Sequence, residues 1–380
     1  MKASTSARIL VVGGAGYFGR LLVAELLQHT DAHIILGGRD QDRLFQALHS
    51  FDQSLGARLE PRVMDLAKPE TIEPLLDSIR VVICTAGPFQ QLPLTLLEQC
   101  LDHRVHYIDL SDDRDFVMRV RQAVREGGND ATLPGICTGW SAVPALSGLL
   151  ARIGATAMDK VDTIHIQIAP GNRLPRAEAT IASLLSSVGR PFTVWQQGAW
   201  QTVLGWSQPR VFHFPRPVGD RVGYLVDVPD HELFPKLFAA NRVEFRVGSE
   251  LGFLNGGMTF LAWASRIGLV KSWTSMAPFF RRSMALFGFL GHNSGAVGVE
   301  VVGKRNSAHT CRRVSVVADH DGQRIPIMPA VIMAQALLSN DSDYQGLVPL
   351  DGWLSQDQLQ AQCDRRGYRL VVEKEQECCE

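Results

Sequence analysis

The first third of the chain alternates short, mostly apolar runs with stretches whose apolar residues recur at helical spacing. Six runs have the length of strands and lie at residues 8–12, 33–36, 59–64, 81–85, 105–110 and 131–136. Apolar strands separated by helices are typical of a parallel sheet that is covered on both faces. The pattern therefore predicts an α/β fold with a doubly wound sheet, in which ligands bind beyond the carboxyl ends of the strands.

A glycine-rich turn joins the first of these strands to the first helix. Its glycines fit the spacing G-x-G-x-x-G, which provides a tight turn, close approach of a pyrophosphate and close packing of helix on strand. The N–H groups and the dipole at the helix start would face that phosphate. We therefore predict a Rossmann-type dinucleotide-binding domain with cofactor contacts at Gly14, Ala15, Gly16, Tyr17, Phe18 and Gly19. The alternative is a glycine-rich turn that binds nothing.

Further candidate cofactor contacts follow the third and fourth strands. Asp65 ends the third strand, and Thr85, Ala86, Gly87 and Pro88 form the turn after the fourth. Both positions share the rim of the sheet with the glycine turn, so we expect them beside a dinucleotide, with the second turn near the nicotinamide. The alternative is a turn with a purely structural role.

The second strand ends in Gly37 and Gly38, and Arg39 follows twenty residues beyond Gly19. In folds that bind NAD, an acidic residue near this point accepts hydrogen bonds from the ribose 2′-OH. A guanidinium at the same place instead binds the 2′-phosphate of NADP. We therefore predict NADP as the cofactor, with NADPH preferred over NADH, and expect Asp40 to cap the next helix. The alternative for Arg39 is a solvated surface residue.

Candidate catalytic residues follow the fifth and sixth strands, where the functional groups of α/β sheets gather. Asp109, Ser111 and Asp112 stand at the end of the fifth strand, and Ser141 follows the sixth. Each could contact a substrate or take part in proton transfer. The alternative is local, because Ser111 or Asp112 could cap the next helix and Ser141 a helix that begins near Val143.

The middle of the chain has a different pattern. Residues 161–168 alternate strictly between isoleucine and polar positions, as in a half-exposed antiparallel strand. Further strand-like segments lie at 192–195, 210–214, 223–228, 243–247, 296–302 and 313–318. We predict a second, mainly antiparallel α+β domain at 141–328, inserted into a cofactor domain that comprises residues 1–140 and is completed by 329–380.

Five stretches go beyond generic α/β features, namely residues 81–89, 106–112, 295–303, 328–338 and 348–353. The first reads VVICTAGPF and the second HYIDLSD. Together with the glycine turn, these stretches resemble the saccharopine dehydrogenase-like oxidoreductases. The resemblance touches both ends of the chain and is weakest between residues 171 and 293. It implies a cofactor domain completed by the C-terminal tail, and an inserted sheet domain that often forms homodimers.

The resemblance also carries an expectation about activity. Members of this family act on imine-forming amino acids, polyamine precursors or lipid-linked enoyl groups, which implies hydride transfer to or from a C=N or C=C group of a small or lipid-linked substrate. One departure concerns the segment after the sixth strand, where many members have an acidic residue and this chain has Trp140. An acid–base role at that position is therefore not carried over.

Two other functions stay open at this point. An atypical short-chain reductase or epimerase would share the glycine turn, but such enzymes need Tyr-x-x-x-Lys, and none of the five tyrosines has a lysine four residues later. A cofactor-binding sensor or scaffold without turnover is favoured by the lack of a recognisable proton donor. Turnover of NADPH separates that function from the enzymatic ones.

Composition narrows the partners and the compartment. The formal net charge of −1 gives no electrostatic footprint for nucleic acid. Seven dispersed cysteines fit reduced thiols in a cytoplasmic protein, and Cys84, in an apolar strand, is expected to pack. The N-terminus lacks the apolar run of a signal peptide. His103 and His106 have no third candidate ligand, so no metal site is predicted.

Residues 251–290 form the most apolar stretch, which Arg266, Lys271, Arg281 and Arg282 interrupt. No run in it reaches the roughly 20 residues that a membrane span needs. A basic, aromatic-rich helix on a membrane surface is one interpretation. We expect the other, a helical insert packed on the sheet or at a homodimer interface, and therefore little membrane binding.

Overall fold

The computed structural model describes residues 7–52, 56–127, 133–156, 158–174, 178–270, 273–339 and 344–377. The chain divides into two compact units, each with its own sheet. The first unit comprises Met1–Ser141 and Pro326–Pro349, and the second comprises Ala142–Ile325 and Leu350–Glu380.

The regular elements are numbered in chain order. The strands are β1 (Arg8–Val12), β2 (His33–Gly38), β3 (Leu59–Val63), β4 (Val81–Cys84), β5 (His106–Asp109), β6 (Gly135–Cys137), β7 (Lys160–Pro170), β8 (Pro191–Gln196), β9 (Ala199–Leu204), β10 (Arg210–His213), β11 (Asp220–Leu225), β12 (Arg242–Val247), β13 (Gly295–Arg305), β14 (Ala308–Ala318), β15 (Gly346–Leu347), β16 (Tyr368–Val372) and β17 (Gln376–Glu377). The α-helices are α1 (Tyr17–His29), α2 (Gln41–His49), α3 (Glu73–Leu76), α4 (Thr95–Asp102), α5 (Arg114–Glu126), α6 (Ser147–Ala155), α7 (Glu178–Ser187), α8 (Asp230–Leu237), α9 (Gly252–Arg266), α10 (Ala277–Leu286), α11 (Met328–Leu338) and α12 (Gln356–Asp364).

The first unit is built on seven strands in the order β15-β6-β5-β4-β1-β2-β3, and all of its strand pairs are parallel. Burial of the central strands is complete, with Ile9, Leu10 and Val11 showing no exposed surface. The doubly wound α/β sheet predicted from the apolar runs is therefore confirmed. The order places β2, β1, β4 and β5 side by side, so the loops that follow these four strands share one edge.

Helix α11 returns to this first unit from far along the chain. Its residues from Met328 to Ala334 are buried on every side, which explains why its sequence is apolar without an amphipathic pattern. Gln335 Nε2 donates a hydrogen bond to His29 O at the end of α1, over 2.8 Å. The polar tip of the helix is thereby paired within the same unit.

The second unit has a ten-stranded sheet that is mixed and mainly antiparallel, which confirms the second part of the predicted fold class. Strand β7 was expected to be half-exposed and antiparallel, and the structure differs on both points. It pairs antiparallel with β13 but parallel with β12, at the centre of the sheet. Its polar face is also covered, because Gln167 is 2% exposed and its Nε2 donates to Arg221 O.

The predicted extent of the C-terminal contribution to the cofactor domain needs correction. Only Pro326–Pro349 lies in the first unit, whereas Leu350–Glu380 lies in the second. The reason is strand pairing, since β16 joins the second sheet antiparallel to β14. Trp353 adds to the attachment, because its Nε1 donates to Ala145 O at 3.1 Å in the same unit.

None of the helices among the described residues is both long enough and apolar enough to cross a membrane.

Candidate cofactor and active site

The turn after β1 depends on a glycine that the sequence motif does not count. Gly13 has a φ of +80°, a left-handed conformation that favours glycine, whereas the motif assigned the tight turn to Gly14. Gly13 N donates to Gly37 O, and Gly16 N donates to Gly13 O, each at a distance of 2.8 Å. A Cβ added to Gly13 would lie 2.8 Å from Ala86 N. The turns after β1 and β4 therefore approach each other as closely as backbone allows.

The start of α1 is open to a ligand. Gly16 is the N-cap and is exposed, no side chain caps the helix, and its first turn holds no acidic residue. A Cβ added to Gly16 would meet only Gly13 O, at 3.0 Å. The N–H groups of the first helical turn and the helix dipole therefore form a place for an anion.

The remaining residues of the motif shape the same turn. Gly14 is buried, Ala15 is half-buried, and the half-buried rings of Tyr17 and Phe18 meet edge to face with centroids 5.2 Å apart. Gly19 is buried, and a Cβ added to it would lie 2.8 Å from Gly14 Cα. The helix can therefore pack against the turn only with glycine at this position.

Arg39 follows β2 with its side chain exposed to solvent. Within the described part of the chain, no hydrogen bond or ion pair engages its guanidinium. Asp40 acts as predicted, because its Oδ1 accepts a hydrogen bond from Arg43 N at 3.1 Å and caps α2. Among the described residues this cation thus has no internal partner, and it stands one strand away from the open helix start, at the position predicted to contact a 2′-phosphate.

The turn after β4 is tied to the end of β1. Two groups of Thr85 donate hydrogen bonds to Val12 O: the backbone N at 2.8 Å and the side-chain Oγ1 at 3.0 Å. Ala86 is half-buried against Gly13, whereas Gly87 and Pro88 are exposed. Thr85 is thus occupied within the fold, and the exposed part of the turn is available to a ligand.

Asp65, after β3, is half-buried and belongs to its own turn. Its Oδ1 accepts a hydrogen bond from Ala67 N at 3.1 Å, and its backbone N donates to Thr71 Oγ1 at 3.0 Å. One carboxylate oxygen is therefore engaged locally, which leaves the other for the cofactor contact predicted at this position.

Asp109 has no exposed surface, so the structure gives it a positioning role in place of the predicted catalytic one. Its Oδ1 accepts hydrogen bonds from Ser111 N at 3.0 Å and from Gly139 N at 2.9 Å. Its backbone oxygen accepts a third, from Trp140 N at 2.7 Å. Burial raises the pKa of Asp109 to about 6, although these N–H groups oppose the rise. The carboxyl group therefore joins the loop after β5 to the loop after β6.

The residue that caps the helix after β5 is neither Ser111 nor Asp112, the two candidates from the sequence. Asp113 caps α5, with its Oδ1 accepting from Phe116 N at 2.8 Å. Ser111 is fully buried, and its Oγ accepts from Asp113 N at 3.1 Å, so its predicted catalytic role is replaced by a structural one.

Asp112 is left as the exposed carboxylate of this loop. Its side chain bonds to no other residue within the described ranges. Desolvation by surrounding protein atoms, with a further contribution from Asp113, raises the pKa of Asp112 to about 6 even though water reaches the side chain. A carboxyl group with this pKa exchanges protons near neutral pH.

Ser141 is 8% exposed, and its backbone N donates to Gly139 O at 2.8 Å. Its hydroxyl makes no hydrogen bond with any residue that the structure describes, and no side chain caps the start of α6. The capping alternative is thus not realised. The neighbouring Trp140 is fully buried.

Other reactive side chains near this edge are occupied or inert. Burial raises the pKa of the Cys84 thiol to about 12, so the thiol packs in the core. Burial lowers the pKa of His106 to about 4, and its Nδ1 accepts a hydrogen bond from Gly135 N. Across the described ranges, no group of three or more His, Cys, Asp or Glu could hold a metal ion.

The turn, the open helix start and the exposed cation define a dinucleotide-binding domain. Residues 9–133 match the model of the saccharopine dehydrogenase NADP binding domain. The resemblance noted in the sequence is therefore confirmed.

Two known proteins are similar to this chain. The probable mitochondrial saccharopine dehydrogenase-like oxidoreductase of Arabidopsis thaliana is 23% identical over an alignment of 157 residues that covers 37% of this chain. The match spans 34% of that protein's length. The apo histidine-tagged saccharopine dehydrogenase (L-Glu forming) of Saccharomyces cerevisiae is similar over 98% of this chain and 100% of its own, with a TM-score of 0.67 and 13% identity. At this identity the likeness shows the fold.

Proposed function

We propose that this chain is an NADP-dependent oxidoreductase that transfers hydride to or from a C=N or C=C group of a small or lipid-linked substrate. One observation carries the proposal. Four adjacent strands end in the residues that the reaction needs: Arg39 after β2, the open helix start after β1, the exposed turn after β4 and Asp112 after β5. The family match and the names of the two relatives agree with this class of activity.

The cofactor would be held at the open helix start, by Arg39 and by the exposed turn after β4. The N–H groups behind Gly16 receive the pyrophosphate, and Arg39 binds the 2′-phosphate with its planar guanidinium. Gly87 and Pro88 line the nicotinamide end of the cofactor. When bound, NADPH supplies the hydride.

The chain's own residues would handle the proton. Reduction of a C=N bond adds a hydride to carbon and a proton to nitrogen, so an acid must stand near the substrate. Asp112 is exposed, and its pKa of about 6 lets it hold that proton near neutral pH. Ser141 supplies a hydroxyl for the substrate, while Asp109 holds the two loops that carry these groups. Many family members have an acidic residue at the position of Trp140. In this chain Asp112 would take over the role of that residue.

Cofactor preference is tested by Arg39→Ala. A charge-assisted contact to phosphate contributes about 1.5–3 kcal/mol, so the variant should bind NADPH roughly tenfold to a hundredfold more weakly. NADH affinity should stay nearly unchanged, because NADH has no 2′-phosphate. Fluorescence titration of both cofactors into both proteins measures the difference.

Arg43→Ala is the matched control for Arg39→Ala. It removes an exposed arginine four residues away, whose Nε lies 3.3 Å from Asp40 Oδ2, and should leave both affinities unchanged. Equal losses for NADH and NADPH in Arg39→Ala, or a wild-type preference for NADH, would contradict the assignment.

Activity is tested with NADPH and two classes of acceptor: 2-oxo acids mixed with primary amines, which form imines, and α,β-unsaturated thioesters. We expect one class to be reduced, with Asp112→Asn lowering kcat about a hundredfold and leaving the Kd for NADPH unchanged. In the wild type, kcat/KM should fall as the pH rises through about 6, because Asp112 loses its proton. That dependence should vanish in Asp112→Asn.

Asp115→Asn is the control for this measurement, since Asp115 is exposed in the first turn of α5 and should not affect turnover. Tight NADPH binding without turnover of either class would favour a cofactor-binding sensor. Reduction of the 2-oxo acid without any amine would instead favour a carbonyl reductase.

A further inference from the structure

The second unit carries a concentrated apolar surface. Among the described residues, ten of the fifteen exposed large hydrophobic side chains lie between residues 253 and 290, although this is about a tenth of the chain. The ten are Phe253, Phe260, Trp263, Ile267, Leu269, Met276, Phe279, Phe287, Phe289 and Leu290. We call them the apolar face. A clustered apolar surface of this kind marks an interaction site, whereas scattered exposed residues do not.

The apolar face is built on a fixed support. Helices α9 and α10 turn their other sides inward, where Ala277 is buried with Ile181 and Leu185 of α7 and packs with Leu261 and Phe280. On α9, Phe253, Phe260, Trp263 and Ile267 recur at spacings of seven, three and four, which keeps them on one side of the helix. The outward residues are therefore not needed for the packing of α9.

The segment that follows α10 is also held by its backbone. Asn172 Nδ2 donates to Phe287 O at 2.7 Å and to Leu290 O at 2.9 Å, and Arg173 Nη2 donates to Phe289 O at 3.0 Å. The ring of Phe289 nevertheless stays 70% exposed. An anchored backbone that presents exposed rings is pre-organised to insert them into an apolar medium.

Charge distinguishes the possible occupants of the apolar face. Residues 251–290 contain four of the chain's 38 basic residues and none of its 39 acidic residues. A second copy would bring the same patch to a two-fold interface, so like charges would meet. Basic residues flanking Phe, Trp and Leu side chains instead complement an anionic lipid surface, where aromatic rings sit at the headgroup level.

We propose that the apolar face docks this protein on the surface of an anionic membrane. The aromatic and aliphatic side chains enter the headgroup boundary, and Arg266 and Arg282, both exposed, contact the lipid phosphates. This proposal departs from the expectation drawn from the sequence, which was an insert packed on the sheet or at a homodimer interface, with little membrane binding.

Vesicle flotation tests the proposal with the full chain. The wild type should float with vesicles of phosphatidylglycerol and phosphatidylcholine, bind pure phosphatidylcholine weakly, and be released as salt is raised. Trp263→Ala and Phe260→Ala should each lower the affinity roughly tenfold or more. Arg266→Gln should lower it roughly fivefold and reduce the salt dependence.

Two control variants and one further measurement keep the outcomes separate. Trp200→Ala and Arg43→Ala remove an exposed tryptophan and an exposed arginine outside the apolar face, and both should bind vesicles like the wild type. Light scattering reports the oligomeric state of every variant. Absence of binding to anionic vesicles would overturn the proposal, as would a wild-type dimer that Trp263→Ala dissociates, since the face would then bind a second copy.

Discussion

Replacing Gly13 by alanine is expected to lower the free energy of unfolding by about 2–5 kcal/mol and to weaken NADPH binding roughly a hundredfold or more. Two effects add. A side chain at a φ of +80° costs about 1–2 kcal/mol, and its Cβ would lie 2.8 Å from Ala86 N. Because this neighbour is backbone, relief requires the turns after β1 and β4 to separate. Both turns carry proposed cofactor contacts, so the proposed binding site opens as the strain is relieved.

Gly198→Ala is the matched control for that variant. Gly198 has a φ of +73° in the turn between β8 and β9, and nothing lies within 4 Å of an added Cβ. The variant should therefore lose only about 1–2 kcal/mol of unfolding free energy and none of its NADPH affinity. Chemical denaturation and cofactor titration on both variants measure this. If Gly13→Ala loses no more unfolding free energy and no more NADPH affinity than Gly198→Ala, the turns after β1 and β4 do not approach each other closely.

Features that depend on neighbouring residues could be predicted from the sequence. The apolar runs specify buried parallel strands, and the glycine spacing specifies a turn into a helix, because each pattern is satisfied within about twenty residues. The cap formed by Asp40 is similarly local. These patterns sufficed for the α/β class, the family resemblance and the dinucleotide-binding turn.

Features that depend on distant segments could not be predicted. The hydrogen bond from Gly139 N to Asp109 crosses thirty residues, so nothing local indicated that this carboxyl group would be buried. Once Asp109 and Ser111 are occupied and Asp113 caps α5, Asp112 is the carboxylate left exposed. Strand β16 is another example, since its pairing with β14 reassigns the C-terminal segment to the second unit.

Asp109→Ala is expected to lower the free energy of unfolding by about 2–6 kcal/mol. The substitution leaves Ser111 N and Gly139 N buried without an acceptor, and each unsatisfied donor costs about 1–3 kcal/mol. The loops after β5 and β6 then lose their connection, so the positions of Asp112 and Ser141 become uncertain and turnover should fall with stability. Urea denaturation measures the first effect and the NADPH assay the second.

Asp109→Asn separates the charge of this group from its hydrogen bonds, because the amide oxygen can still accept from both N–H groups. The folded-state pKa of Asp109 is about 6, above the ordinary value of 3.8, so the folded protein binds this proton more tightly than the unfolded chain does. The stabilisation of the fold by this protonated carboxyl group is complete below the ordinary pKa and is lost as the pH rises through about 6. Between about pH 4 and pH 7, the unfolding free energy of the wild type should therefore fall relative to that of Asp109→Asn by up to about 3 kcal/mol. A difference that does not change with pH would show that the pKa of Asp109 is not raised, and an Asp109→Ala variant as stable as the wild type would remove its positioning role altogether.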